Sequence, residues 1–233
     1  MRIGLSGNPP AGILLIDKPT GITSHDVVYK VRKKTGVKRV GHAGTLDPLA
    51  TGLLIVLVGR EFTKRQSEFL KQDKEYLCEV QLGIETDTYD VDGQIIKEAD
   101  WENLVRISKE DVEKVLDQFR GQISQTVPAF SAVKVKGRKL YEKARKGEID
   151  KKDLPSREVH IKELEPIDLK KDEVAQEMFF NIRVACSSGT YIRSLAHDIG
   201  QELGVGATVK ELRRTKIGEL KLEDSTPLQG FVA

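Results

Sequence analysis

The stretch GHAGTLDPLATG, residues 41–52, packs three glycines, two threonines, His42 and Asp47 into twelve positions. Glycine lets such a segment turn tightly, and Asp47 is its one carboxylate. Loops mounted on rigid elements are where catalytic groups concentrate, but Asp47-Pro48 also reads as a plain turn starter. A phosphate cradle at residues 41–45 is a third reading. It lacks the GK[ST] ending that supplies a lysine and a magnesium-binding hydroxyl. Two further residues bear on Asp47. A partly buried aspartate stays ionised only beside an opposite charge or hydrogen-bond donors, and Arg193 can supply both in a fixed fork. Tyr76 carries a ring that can stack on a base. Each has a plainer reading, a strand aromatic for Tyr76 and a solvated helix residue for Arg193. Spacing alone leaves both open.

The elements that must position these residues follow from punctuation and periodicity. Residues 12–16 (GILLI) predict a short buried strand, ended by the turn Lys18-Pro19-Thr20-Gly21. A helix follows, with Ser24 as its expected N-cap, Val27, Val28 and Val31 on one face and Gly36 as its stop. Residues 41–52 are expected as a loop, and LLIVLVG, residues 53–59, as a strand apolar on both faces and therefore central in a sheet. KEYLCEVQL, residues 74–82, predicts another strand, followed by an acidic connection over residues 83–93. Its Asp90-Val91-Asp92-Gly93 looks like a calcium loop, but Ala99 stands where the bidentate glutamate belongs, so calcium binding is not expected. Ser108 and Asp111 form a capping-box start for a helix whose apolar face is Val112, Val115, Leu116 and Phe119. After a long segment from Val127 to Pro155, MFFNIRVAC is a strand, SSGT a turn, and YIRSLAHDIGQELG a helix with Ile192, Leu195, Ala196, Ile199 and Leu203 on one face. Without regular βαβ alternation, this order predicts an α+β fold with a mixed or antiparallel sheet.

Composition narrows the partners. The chain has 233 residues, 39% hydrophobic and 32% charged, which is the composition of a soluble globular protein. It has no apolar run of spanning length, and its first residues do not read as a secretory signal, so a cytoplasmic location is expected. Cys78 and Cys186 lie in apolar, β-prone runs where a thiol behaves as a small hydrophobe. Without a CxxC pair and with four histidines, no zinc-type ligand set can be assembled from spacing, and the expected activity needs neither metal nor cofactor. The net charge is only +2, yet residues 134–152 carry nine basic side chains against three acidic ones. That strip is what docking a polyanion at one place requires, although a solvated lysine-rich loop has the same composition.

KPTGITS (Lys18 to Ser24), GHAGTLDPLATGLLIV (Gly41 to Val56), KEY (Lys74 to Tyr76), the run from Val127 to Gly147, SSGTYIRSLA (Ser187 to Ala196) and LRR (Leu212 to Arg214) together resemble the bacterial tRNA pseudouridine-55 synthase family, TruB. The resemblance covers about residues 12 to 218, in order. It implies a single catalytic domain of α+β class. The sheet would be central, mixed and mainly antiparallel, with flanking helices and a thumb insertion, here about Ser124 to Asp153, that grips the T-arm. It implies isomerisation of uridine 55 in the T-loop of tRNA by a monomer without an obligatory protein partner. By the family pattern Asp47 is the catalytic aspartate, Arg193 its ion-pair partner and Tyr76 the ring that stacks on the target uracil. Tyr191 and Leu212 match positions lining the base pocket, and His42 one that helps hold the nucleotide flipped out. Lys18 and Pro19 match a segment supporting the active-site loop. Lys134, Lys136, Arg138, Lys139, Arg145 and Lys146 would be the thumb's RNA contacts. Many members continue into a C-terminal RNA-binding PUA module, which this sequence is expected to lack.

Two rivals carry a different chemistry. A non-catalytic tRNA-binding protein that remodels the T-arm would use the same basic surface, and the Asp47, Tyr76 and Arg193 set argues for the enzyme instead. A glycosidase acting on a free nucleoside would need two carboxylates across the bond, and the 41–52 loop has one.

Overall fold

A computed structural model describes residues 11–135 and 137–232. In chain order the elements are β1 (Gly12–Lys18), α1 (Ser24–Thr35), β2 (Val40–Ala43), β3 (Thr51–Val58), α2 (Arg60–Thr63), α3 (Gln66–Leu70), β4 (Lys74–Leu82), β5 (Ile84–Thr86), β6 (Ile95–Glu98), α4 (Trp101–Leu104), α5 (Lys109–Gln118) and β7 (Gly121–Thr126). They continue with β8 (Lys134–Val135), β9 (Arg138–Lys139), α6 (Leu140–Ala144), β10 (Ser156–Asp172), β11 (Glu177–Cys186), α7 (Ile192–Glu202), β12 (Ala207–Ile217), β13 (Leu220–Lys221), β14 (Thr226–Pro227) and α8 (Leu228–Val232). The chain divides into two compact units, one of residues 1–76 and 212–233, the other of residues 77–211. The long strands β4 and β12 each have residues in both.

In the first unit, β3 is the central strand, as its uniform apolarity predicts, with Leu53 to Val58 fully buried. Along one edge it pairs antiparallel with β1, from Gly12↔Val58 to Lys18↔Gly52. Its other edge is shared. β2 pairs antiparallel over residues 55–58, and β12 pairs parallel at Arg213↔Thr51 and Arg214↔Gly52. One face of β3 packs Leu53, Ile55 and Leu57 with Ala43, Phe69 and Ile217, while α1, with Val27, Val28 and Val31 buried, packs against β2 and β3. The expected loop of residues 41–52 is therefore shorter. Its first residues are ladder-paired β2, and only residues 44–50 are irregular.

The expected N-cap of α1 is also displaced by one residue. Thr23, with extended backbone, accepts from the Asp26 N–H at 3.1 Å, and its own backbone N–H donates to Oδ2 of Asp26 at 2.8 Å, closing a capping box, with its hydroxyl donating to the same oxygen at 2.6 Å. These hydrogen bonds hold the Asp26 carboxyl below the usual aspartate range. Ser24, freed from capping, has another partner described below. Gly36 stops the helix in the left-handed conformation, as predicted.

The second unit is built on the strand order β12-β4-β11-β10-β7, with β10 antiparallel to both β11 and β7. Along β11 every second residue, from Met178 to Cys186, is buried, the alternation expected of a half-buried strand. Both cysteines are buried and free of disulfides. α5 has the predicted Ser108–Asp111 capping box and packs on β10 and α7. β10 and β12 lie outside the sequence-based assignments. β10 is amphipathic and carries Pro166 at a bulge, beyond the residues paired with β7. A proline is tolerated there because one strand edge is open. The first unit's pairings are mixed, with β1 and β2 antiparallel and β12 parallel to β3, and the second unit's β11-β10-β7 are antiparallel, which is the mixed, mainly antiparallel class expected.

Candidate active site

The irregular residues 44–50 hold Asp47, and backbone contacts on both sides fix them. The Ser24 hydroxyl accepts from the Leu46 N–H at 2.8 Å and donates to the Leu46 carbonyl at 3.1 Å, so one buried side chain clips one residue twice. On the other side of Asp47, the Pro48 carbonyl accepts from the Gly21 N–H at 2.9 Å and from Lys18 Nζ at 3.2 Å. Thr20 donates its hydroxyl to the Leu49 carbonyl at 3.0 Å. The Ala50 N–H closes a turn on the Asp47 carbonyl at 3.1 Å. The KPTGITS segment is thus a clamp for the loop, and the half-buried Asp47 is held between clipped neighbours.

Lys18 is a fully buried cation. Its ammonium donates to the carbonyls of Pro19, Ile22 and Pro48, which satisfies its three donors. Burial lowers its pKa from 10.5 to about 8, against the opposing attraction of Asp47. Arg214, also buried, spans the gap in the shared edge of β3. It donates Nε to the Leu53 carbonyl at 2.8 Å and Nη2 to the Gly44 carbonyl at 2.9 Å, two acceptors between the β12 and β2 pairings. Beside it Gly52 has φ +100°, and a Cβ there would lie 2.3 Å from the Arg214 carbonyl oxygen. His42 is half-buried on β2, its pKa lowered by burial first and by Arg214 second. Tyr76 on β4 and Leu212 on β12 are both buried at 8% exposure, and the Leu212 carbonyl accepts from the Thr51 hydroxyl.

Arg193 and Tyr191 belong to the second unit. Arg193 lies in the first turn of α7, where the helix dipole disfavours a cation, and is only 5% exposed. Its guanidinium donates to the Thr88 carbonyl at 2.7 Å and the Phe130 carbonyl at 3.0 Å, and pairs with Asp90 at 3.6 Å. Asp90 in turn accepts from the Thr88 hydroxyl at 2.6 Å. The run that looks like a calcium loop is therefore the cradle of an arginine. Between them Tyr89 has φ +63° and stacks on His197 of α7 at 4.0 Å. Tyr191 is held by the fully buried Gln125, whose amide accepts from its N–H at 2.8 Å and donates to its carbonyl at 3.0 Å. The Arg157 guanidinium lies 5.3 Å from its ring centroid.

The basic insertion occupies residues 127–155, since β7 runs to Thr126 and β10 begins at Ser156. Its base is closed by Thr126↔Ser156 pairing and by the Val127 N–H on the Pro155 carbonyl at 2.9 Å. Lys134, Arg138, Arg145 and Lys146 are exposed, while Lys139 and Arg145 lie over the Tyr141 ring at 5.3 and 5.6 Å. Arg138 forms an ion pair with Glu148 at 2.8 Å. Lys136 lies outside the described residues.

Sequence reading missed Arg214, Asp90, Gln125 and the clip made by Ser24. A signal existed for Asp90, because Arg193 is flanked by Ile192, Leu195 and Ala196, so a buried cation had to find a carboxylate. Among the described residues no group of three or more His, Cys, Asp or Glu is placed to hold a metal ion, and no helix is long and apolar enough to cross a membrane.

Residues 32–192 match the family model of the TruB pseudouridylate synthase N-terminal domain, and residues 193–233 that of the tRNA pseudouridylate synthase B C-terminal domain. The chain is 46% identical over 215 residues to the tRNA pseudouridine synthase B of Endomicrobium trichonymphae, covering 92% of this chain and 88% of that protein. It is 45% identical over 217 residues to the protein of the same name from Clostridioides difficile strain 630, covering 93% and 69%. Among solved structures it resembles a Cbf5-Nop10-Gar1 complex, at TM-score 0.69 and 30% identity, and an H/ACA RNP bound to a substrate RNA containing 2′-deoxyuridine, at 0.68 and 27%. It covers 95% of its own length in each and spans about half of those solved chains, 54% and 52%. On the family match and these relatives, the chain belongs to the TruB family of pseudouridylate synthases.

Proposed function

We propose that this chain converts uridine 55 in the T-loop of tRNA to pseudouridine, with Asp47 as the catalytic carboxylate, acting as a cytoplasmic monomer. The observation that carries the reading is the clamp on Asp47, whose neighbours Leu46 and Pro48 are each hydrogen-bonded to the Lys18–Ser24 segment. A carboxylate held on that backbone is preorganised for one position on a substrate. The relatives' shared name supplies the substrate class.

The reaction breaks the C1′–N1 bond, turns the base and joins C1′ to C5, with the C5 hydrogen leaving as a proton to solvent and N1 taking one up. It is redox-neutral and needs no group donor. The target must leave its stack at a cost of a few kcal/mol, offset by stacking on Tyr76 and contacts from Tyr191 and Leu212. Ionised Asp47 attacks C1′ or removes the C2′ proton, two routes open to a carboxylate. Arg193 acts as its ion-pair partner, His42 helps hold the flipped nucleotide, and the insertion grips the T-arm through Lys134, Lys136, Arg138, Lys139, Arg145 and Lys146.

The test is tritium release from uracil C5 of a tRNA transcript by wild type and Asp47→Asn. Wild type releases tritium, and the variant binds the transcript without turnover. Binding without release by wild type would leave the remodelling role instead.

A further inference from the structure

Between Asp26 and Glu61 the chain carries seven lysines and arginines and a single acid, Asp47. That local charge of +6 equals the one in residues 134–152. Lys30, Lys33, Lys34, Lys38, Arg39 and Arg60 are all exposed. They are also contiguous. Arg32 Nη2 donates to the Val40 carbonyl at 3.4 Å, tying the last turn of α1 to the start of β2. The Gly59 N–H donates to the Arg39 carbonyl at 2.7 Å, setting Arg60 beside residues 38–39.

The helix dipole accounts for basic residues in the last turn of α1. It does not account for Lys38 and Arg39, which lie past the helix, or for Arg60, which opens α2 at the end where a cation is disfavoured. Nor do ion pairs account for them. Among the described residues Lys33, Lys38, Arg39 and Arg60 have no carboxylate partner, whereas the insertion pairs Arg138 with Glu148 and Lys152 with Asp150. Unpartnered cations on one face repel each other, a cost that a polyanionic partner relieves. Ser24, at the opposite end of the same helix, clips the Asp47 loop, so RNA held at this face is held on the unit that carries Asp47.

We propose that the last turn of α1, residues 38–39 and Arg60 form a second contact surface for the phosphate backbone of tRNA, separate from the insertion. This rests on the reading that tRNA is the substrate. The test compares Lys33→Gln/Lys38→Gln/Arg39→Gln/Arg60→Gln with a control that also removes four exposed charges, Arg106→Gln/Lys109→Gln/Lys114→Gln/Lys221→Gln. Each is titrated with unmodified full-length tRNA between about 50 and 200 mM salt. The test variant binds about tenfold or more weakly at physiological salt, and its slope of log affinity against log salt falls by about 3. Its kcat at saturating tRNA stays at the wild-type value, and the control stays within about twofold of wild-type affinity. Affinity and slope equal to wild type, or a loss matched by the control, overturn the proposal. Failure of the wild type to release tritium would instead strike the functional reading, and the binding comparison would still decide this surface.

Discussion

Replacing Ser24 with alanine separates two roles that sequence alone confuses. As an N-cap, Ser24 would stabilise α1 by about 1 kcal/mol and leave catalysis untouched. As a clip, it satisfies both backbone groups of Leu46, which is 3% exposed. Ser24→Ala leaves a buried N–H and a buried carbonyl without that partner, at about 1–3 kcal/mol for each group fully stranded and roughly 2–3 kcal/mol after relaxation. The same change frees the residue preceding Asp47. A displacement near 1 Å of a reacting group costs up to about a hundredfold in rate, so kcat in tritium release should fall between about tenfold and a hundredfold. Thr23→Ala is the matched comparison, since it removes the observed cap. It should lower stability by about 1 kcal/mol with little change in kcat. Urea unfolding and single-turnover release on the three proteins decide the matter. An unchanged kcat in Ser24→Ala, or an equal fall in Thr23→Ala, would refute the clip.

Gly52→Ala should destabilise by more than about 3 kcal/mol, because left-handed strain adds to a backbone collision with Arg214 that forces β12 from β3. Gly36→Ala, equally left-handed but with open space around it, should cost only about 1–2 kcal/mol, and equal shifts in urea midpoint would show the close approach to be unimportant. Lys18 has a folded-state pKa below its unfolded one, so the unfolded chain binds more protons between about 8 and 10.5. Wild type therefore gains stability from this group as pH rises through that window, and Lys18→Met should lack that increment when urea midpoints at about pH 7 and pH 10 are compared. Parallel pH profiles would contradict the buried charge.

Elements with a strong local pattern were legible. The buried strand of residues 53–58, the capping box of Ser108 and the helix bearing Arg193 follow from apolar periodicity and cap chemistry, and the structure has them in place. β12 was not legible, because charged residues at 210, 211, 213, 214 and 216 hide its strand character. Two of those charges find partners distant in sequence, Arg213 with Asp17 and Lys216 with Glu75. Asp47 was legible as a candidate, but the restraints around it were not. Ser24 meets Leu46 across 22 residues and Arg214 meets Gly44 across 170, and such pairings depend on how strands share an edge rather than on local periodicity.

Residues 127–155 leave one strand end and return to its ladder neighbour, with Thr126 opposite Ser156. Closing such a segment costs entropy that grows only with the logarithm of its length, and neither flanking strand needs a new register to accommodate a longer or shorter one. The insertion is therefore an exchangeable cassette. Drift in its sequence and size can change what the segment presents to solvent while the strands beneath it keep their pairing, so the insertion and the scaffold can evolve at different rates.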